Sequence, residues 1–347
     1  MGPRKGENAK LSSEGAQNRK LTLLQAIQEA MIQEMERDKS IFLIGEDIRI
    51  GGGFGVTRGL TDRFGTERVI DTPISEAGYV GVAIGAAVMG MRPIVEFQFG
   101  DFVFCAMDQI VNEAAKLRYM SGGQISVPIV LRLPVGANRR AAQHSQCSES
   151  VFMGIPGLQL AVPSTPYDAK GLMISSIRDN NPVLFFEHKL LYSTQGIRGR
   201  IDPHLPQEVP EEEYAIPLGK ASVVRRGADV TVVATQIMLH RAVEAAEDLS
   251  RQGIEAEVID PRTLVPLDRD TIIESVRKTG RLLITHEAPG TGGWAGEIAI
   301  SVEESIEHPI PIRRVTTADV PVPYSPVLES AVIPGKEQII EGIRSLF

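Results

Sequence analysis

Apolar residues recur along this chain in two alternating rhythms. Over residues 22–38, Leu24, Ile27, Met31 and Met35 fall three to four apart, the stripe of an amphipathic helix. Residues 41–44 then form an unbroken apolar run too short for a helix, which predicts a strand buried on both faces. Runs at 69–71, 93–97, 128–132 and 182–186 predict further strands, with helices over 75–90, 107–120 and 167–178 between them. Strand alternating with helix is the mark of a parallel sheet flanked by helices. The rhythm stops over 196–217, where Pro203, Pro206, Pro210 and Pro217 stand among Glu208, Glu211, Glu212 and Glu213, and this stretch reads as an extended interdomain linker. It resumes with strands at 229–234, 255–259 and 281–285 and helices at 239–252, 268–279, 295–306 and 336–345. The pattern predicts an α/β protein of two domains, 21–195 and 218–347, behind a disordered polar tail over 1–20.

Charge and composition narrow the function classes. The 347 residues carry 36 basic and 44 acidic side chains, a net charge of -8, and a nucleic-acid binder needs the opposite excess. No apolar run is long enough to cross a bilayer, so no membrane partner is expected. Cys105 and Cys147 sit in different motifs and form neither a disulfide framework nor a zinc site. The first 20 residues lack the apolar core of a secretory signal, and Glu7 and Glu14 interrupt any basic targeting face. The cytoplasm is the expected location, ahead of the mitochondrial matrix.

The most informative stretch is Asp71-Thr72-Pro73-Ile74-Ser75-Glu76-Ala77-Gly78. A strand ends at Asp71, Ser75 is placed to cap a helix, and Glu76 falls on its first turn. The helix that follows is rich in small residues, among them Gly78, Gly81, Gly85 and Gly90. Glycine weakens a helix, so close approach of another backbone or a ligand is the physical reason to keep it. An acid in a first turn suits the helix dipole by itself. One at the end of a strand also stands where open α/β sheets bind ligands.

The Asp71–Glu76 motif resembles the cofactor-glutamate motif of the beta subunits of pyruvate, branched-chain 2-oxo acid and acetoin dehydrogenases. Val56-Thr57-Arg58-Gly59-Leu60, Asp108-Gln109-Ile110-Val111-Asn112-Glu113, Ala142-Gln143-His144-Ser145-Gln146, Asp179-Asn180-Asn181-Pro182 and Asp260-Pro261-Arg262-Thr263-Leu264 are similar to the same family in the same order. The resemblance implies a transketolase-like pyrimidine-binding domain followed by a transketolase C-terminal domain. It implies thiamine diphosphate as cofactor. Glu76 would hydrogen-bond the aminopyrimidine ring so that its exocyclic nitrogen deprotonates the thiazolium carbon. Gln98 and Phe102 would line the pyrimidine, Phe102 on its ring face, with Ile74 touching the cofactor. Phe97, Phe99 and Phe104 read as ordinary core. His144 would bind substrate oxygens and assist acyl transfer to a lipoyl group. A potassium ion is implied between Ile129, Val130, Ser176, Ile177, Asp179 and Asn181. The second domain would serve packing between beta subunits and docking of the lipoyl-bearing acyltransferase component, with His240, His286 and Glu287 exposed or structural.

No Gly-Asp-Gly motif for the magnesium diphosphate occurs in this chain. Gly45-Glu46-Asp47 has the wrong form, and Gly51-Gly52-Gly53-Phe54-Gly55 fails the dinucleotide fingerprint and reads as a flexible loop near a subunit interface. Magnesium and the diphosphate are therefore expected on an alpha subunit, in an alpha2beta2 heterotetramer. Ala141-Ala142-Gln143-His144 is similar to the pyruvate and acetoin branches, whereas Gln98-Phe99 and Gly280–Pro289 are similar to the branched-chain branch. Arg139 and Arg140 read as facing solvent or meeting a substrate carboxylate. Two other readings stay open: a thiamine-dependent carboligase without lipoyl transfer, and a non-catalytic subunit that stabilises its alpha partner.

Overall fold

The computed structural model describes residues 19–192 and 208–347. The tail over 1–18 and the first part of the expected linker, 196–207, lie outside them. Thr22 opens helix α1 (Leu23–Arg37) with a capping box: its hydroxyl accepts from Gln25 N at 3.2 Å, and the Gln25 side-chain oxygen accepts from Thr22 N at 2.9 Å. Ile27, Met31 and Met35 are fully buried, as their spacing predicts, and Leu24 packs at the edge of the same core. The elements that follow are β1 (Ile41–Gly45), β2 (Val69–Asp71), α2 (Glu76–Val88), β3 (Arg92–Glu96), β4 (Val130–Val135), β5 (Gln159–Ala161), α3 (Pro166–Arg178) and β6 (Val183–His188). These six strands are parallel, in the order β5-β6-β4-β3-β1-β2.

The second half contains β7 (Ser222–Arg225), β8 (Val230–Ala234), α4 (Gln236–Ser250), β9 (Ala256–Asp260), α5 (Arg269–Thr279), β10 (Leu282–Pro289), α6 (Ala295–Glu303), β11 (Ile312–Thr317), α7 (Pro326–Val332) and α8 (Lys336–Arg344). Its five strands run β11-β10-β8-β9-β7, all parallel except the edge strand β7. Thr263–Val265 leaves this domain and pairs antiparallel with β5, completing a seven-stranded first sheet. Gln236 N donates to Ser164 Oγ at 2.7 Å, His240 Nε2 donates to Ser164 O at 2.8 Å, and Arg262 pairs with Asp168 at 2.6 Å. The two domains thus share a sheet edge and a set of buried polar bonds.

Several expectations change. Residues 107–120 are not one helix: Gln109–Ala114 is a wide π turn, in which Ala115 N reaches back to Ile110 O at 3.1 Å, and only Leu117–Met120 is an α turn. β5 and Thr263–Val265 are three residues each, too short to leave a period, and Arg313 and Arg314 break the apolar run in β11. The described part of the linker is extended but fixed. Glu208–Val209 pairs with Arg19–Lys20, and the fully buried Lys170 donates to the carbonyls of Pro210 (2.7 Å), Glu211 (3.1 Å) and Glu212 (2.9 Å) and to Glu29 (2.7 Å).

Arg132 is fully buried at the centre of the first sheet. Its Nε and Nη2 each donate to Glu187 at 2.8 Å, its Nη1 donates to Glu96, and Tyr192 donates to Glu187 at 2.7 Å. Burial pushes the Glu96 carboxyl up to about 7 against the pull of Arg132. Removing one member of such a group leaves buried charge without a partner. Arg132→Met is therefore expected to cost about 3–5 kcal/mol of stability in urea titration; a loss below about 1 kcal/mol would show that the strands do not depend on this contact.

Candidate active site

Parallel strands deliver their carboxyl ends to one edge, where sheets of this type receive ligands. Glu46 and Asp47 follow β1, the turn to α2 follows β2, Gln98 follows β3, and the loop to His144 follows β4. Glu76 is the first residue of α2 and is buried. Ser75 occupies the position before it but makes no side-chain cap bond, contrary to expectation; Gly78 leaves room for its hydroxyl, since a Cβ there would lie 2.7 Å from Ser75 Oγ.

Glu76 has a partner that the sequence did not reveal. Glu46 is 6% exposed and sits beside Glu76, while its Oε1 has no partner. Burial first, then the charges of Glu76 and Asp47, push the Glu46 carboxyl up to about 7. Glu46 thus keeps a proton into the neutral range and can donate it to its neighbour. Gln98, half-buried, donates from Nε2 to Asp47 Oδ2 at 3.0 Å, which joins the amide to the acidic pair.

A second group is aromatic. Phe102 lies 5.8 Å from Phe99 and 5.6 Å from His144, and Phe99 lies 4.4 Å from His144, measured between ring centroids. His144 Nδ1 lies 3.2 Å from Arg140 O. A carbonyl only accepts, so Nδ1 carries the proton and Nε2 of the neutral ring is left as an acceptor. Phe99 is therefore not ordinary core. It is half-buried at the centre of this group, with Phe54 5.4 Å away on its other side. Phe104 is 39% exposed, also against expectation, whereas Phe97 is fully buried. Ile74 is 83% exposed on the turn just before Glu76.

The glycine run is not a loose loop. Gly52 has φ +68°, and a Cβ on it would lie 1.8 Å from Glu96 Oε1. The carboxylate that meets Arg132 thus packs against the segment carrying Phe54. In the second domain His240, His286 and Glu287 are all buried rather than exposed. His286 packs 4.7 Å from Trp294, and burial pushes its imidazole down to about 4, so it is neutral near pH 7.

The residues expected around potassium are engaged otherwise. Ile129 O accepts from Val183 N at 2.9 Å just ahead of Val130, which opens β4. Ser176 Oγ donates to Leu172 O at 2.7 Å, and the Asp179 carboxylate accepts from Asn181 N (2.7 Å) and Nδ2 (2.8 Å). The carbonyls of Ile177 and Asp179 both accept from the Arg92 guanidinium. The Arg92 guanidinium therefore sits beside two of the carbonyls that the resemblance assigns to the ion. Among the described residues no group of three or more His, Cys, Asp or Glu side chains has the geometry to hold a metal ion. No helix there is long and apolar enough to cross a membrane, and Cys105 and Cys147 are free thiols.

The Glu46 carboxyl has a folded-state pKa raised above its ordinary 4.5. Its protonation favours the fold fully below about pH 4.5, and that stability is lost as pH rises towards 7. Glu46→Gln is expected to stabilise the chain by about 2 kcal/mol at pH 8 and hardly at all at pH 4.5. Thermal melts at the two pH values check this; equal effects at both would contradict it.

Two family models match the chain: the transketolase pyrimidine binding domain over residues 19–195 and the transketolase C-terminal domain over 219–339. The chain is 48% identical to the acetoin:2,6-dichlorophenolindophenol oxidoreductase subunit beta of Cupriavidus necator, covering 94% of this chain and 97% of the relative. It is 44% identical to the 2-oxoisovalerate dehydrogenase subunit beta of Bacillus subtilis (94% and 98% covered). It is 45% identical to the mitochondrial pyruvate dehydrogenase E1 component subunit beta-2 of Oryza sativa subsp. japonica (94% and 86% covered). Among solved structures, a split-gene transketolase described as an inactive beta4 tetramer shares the fold, with TM-score 0.76 and 23% identity over 94% of this chain and 98% of that one. The chain therefore belongs to the transketolase-like family of beta subunits found in the 2-oxo acid and acetoin dehydrogenases.

Proposed function

We propose that this chain is the beta subunit of a thiamine-diphosphate-dependent 2-oxo acid dehydrogenase, acting with an alpha subunit to decarboxylate a 2-oxo acid and pass the acyl group to the lipoyl arm of an acyltransferase. The observation that carries the reading is the buried Glu76 at the head of α2, beside a second buried carboxyl, Glu46. The orphaned Oε1 of Glu46 and the amide of Gln98 fit a polar heterocycle at this edge. Glu76, Gln98, Phe102 and Ile74 would hold the pyrimidine half of the cofactor. When bound, thiamine diphosphate supplies a thiazolium carbanion and an electron sink for loss of carbon dioxide. Glu76 would hydrogen-bond the pyrimidine ring nitrogen, and Glu46, whose carboxyl is raised by burial, would stand beside it as a proton source. His144 offers Nε2 to substrate or acyl oxygens, and the aromatic rings around it exclude water.

Incompleteness supports a partner. This chain has no Gly-Asp-Gly for magnesium and diphosphate. Ile74 is 83% exposed beside Glu76, and on α2 Val82 is 62% exposed. Met89, at the end of that helix, is 83% exposed. Exposed apolar side chains lining glycine-rich helix faces mark an assembly surface, and an alpha2beta2 heterotetramer covers them. Acetoin is the second reading, favoured by two relatives at 48% and 47% identity that are acetoin oxidoreductase beta subunits. Comparing kcat/KM for pyruvate, branched-chain 2-oxo acids and acetoin on the assembled enzyme separates them.

Glu76→Gln is expected to lower turnover of the assembled enzyme by roughly 100-fold or more, the scale of a lost acid–base group, with the native circular-dichroism spectrum retained. Turnover within about threefold of the parent would remove Glu76 from the mechanism.

A further inference from the structure

The loop that carries His144 leaves β4 in a costly conformation. Gly136 has φ +86°, and a Cβ on it would lie 2.1 Å from His188 Nε2. Arg139 (φ +63°) and Ala141 (φ +66°) also sit in the left-handed region, which disfavours side chains. Just before Arg139, Asn138 is 5% exposed, with neither side-chain polar atom partnered. A segment with this much local cost persists only where its surroundings hold it.

The holding groups come from the other domain. Glu287 on β10 accepts the backbone N–H of Ala137, and its second oxygen lies 2.9 Å from His188 Nε2. Glu329 on α7 accepts the backbone N–H of Arg139 at 2.7 Å. No other residue of α7 needs to be buried for this: its Val327 and Leu328 are 77% and 56% exposed, and Glu329 is half-buried. Two carboxylates from separate elements thus grip alternate amides of one loop. The next carbonyl along, that of Arg140, receives His144 Nδ1.

We infer that Glu287 and Glu329 are positioning residues for the active-site loop: the C-terminal domain sets the orientation of His144 by holding the amides of Ala137 and Arg139. The inference rests on the reading of His144 as a catalytic group. Hydrogen–deuterium exchange on the full chain reads the grip without substrate. In Glu329→Ala the amides of residues 137–146 are expected to exchange roughly tenfold faster, the loss of one charge-assisted hydrogen bond. Glu329→Gln, which keeps an acceptor oxygen, is expected to restore exchange to within about twofold. Exchange in β8 and α4 stays unchanged in both. On the assembled enzyme Glu329→Ala lowers kcat and leaves KM unaltered, and Glu287→Ala, if it folds, acts in the same direction. Unchanged loop exchange in Glu329→Ala, or an equal rise throughout the second domain, overturns the inference. Faster loop exchange with unaltered turnover also overturns it while the cofactor reading stands. A parent enzyme without thiamine-dependent turnover sinks that reading instead, whatever the exchange shows.

Discussion

One buried guanidinium organises the edge of the first sheet where the site lies. Arg132 on β4 binds Glu96 at the end of β3 and Glu187 on β6, so a single cation joins three neighbouring strands. Two carboxylates cannot share a dry interior without it. The consequences travel outward by contact. Glu96 holds the glycine run, the run carries Phe54 against Phe99, and Phe99 packs on His144. On the other side the pairing of Gly45 with Glu96 fixes β1, and with it the position of Glu46 beside Glu76. The acid pair and the aromatic group therefore share one electrostatic foundation.

The site belongs to no single element. Its acids come from the ends of two strands, its imidazole from a wound loop, and the support of that loop from the second domain. A domain boundary drawn by composition separates parts that the fold joins. Thr263–Val265 completes the first sheet, Gln236 and His240 bond Ser164, and Glu287 and Glu329 reach the loop after β4. The C-terminal domain thus reaches into the candidate site.

Much of this was legible in the chain. Long periodic helices and apolar strands such as 22–38, 41–44 and 69–71 match closely, because burial dictates both their pattern and their boundaries. Ordered motifs pointed to Glu76, Gln98, Phe102 and His144, and each follows a strand of the first sheet. Glu46 was missed because an acid after a strand looks like any solvated turn; only its burial against Glu76 distinguishes it. Phe99 was assigned to core because hydrophobicity does not say which face a ring presents. Glu287 and Glu329 were invisible for a different reason. They act on backbone amides 150 and 190 residues away, and a backbone amide leaves no trace in sequence. The expectation of a flexible glycine run failed through Glu96, whose contact with Gly52 is likewise distant in the chain.

The central claim is that the Glu76 carboxyl activates a bound thiazolium. Its most direct test is the rate at which the thiazolium carbon of thiamine diphosphate exchanges its hydrogen for deuterium on the assembled enzyme, followed by proton NMR after acid quench. The account predicts exchange at least roughly a hundredfold slower in Glu76→Gln than in the parent, at equal cofactor occupancy. Parent-like exchange in that variant would contradict it.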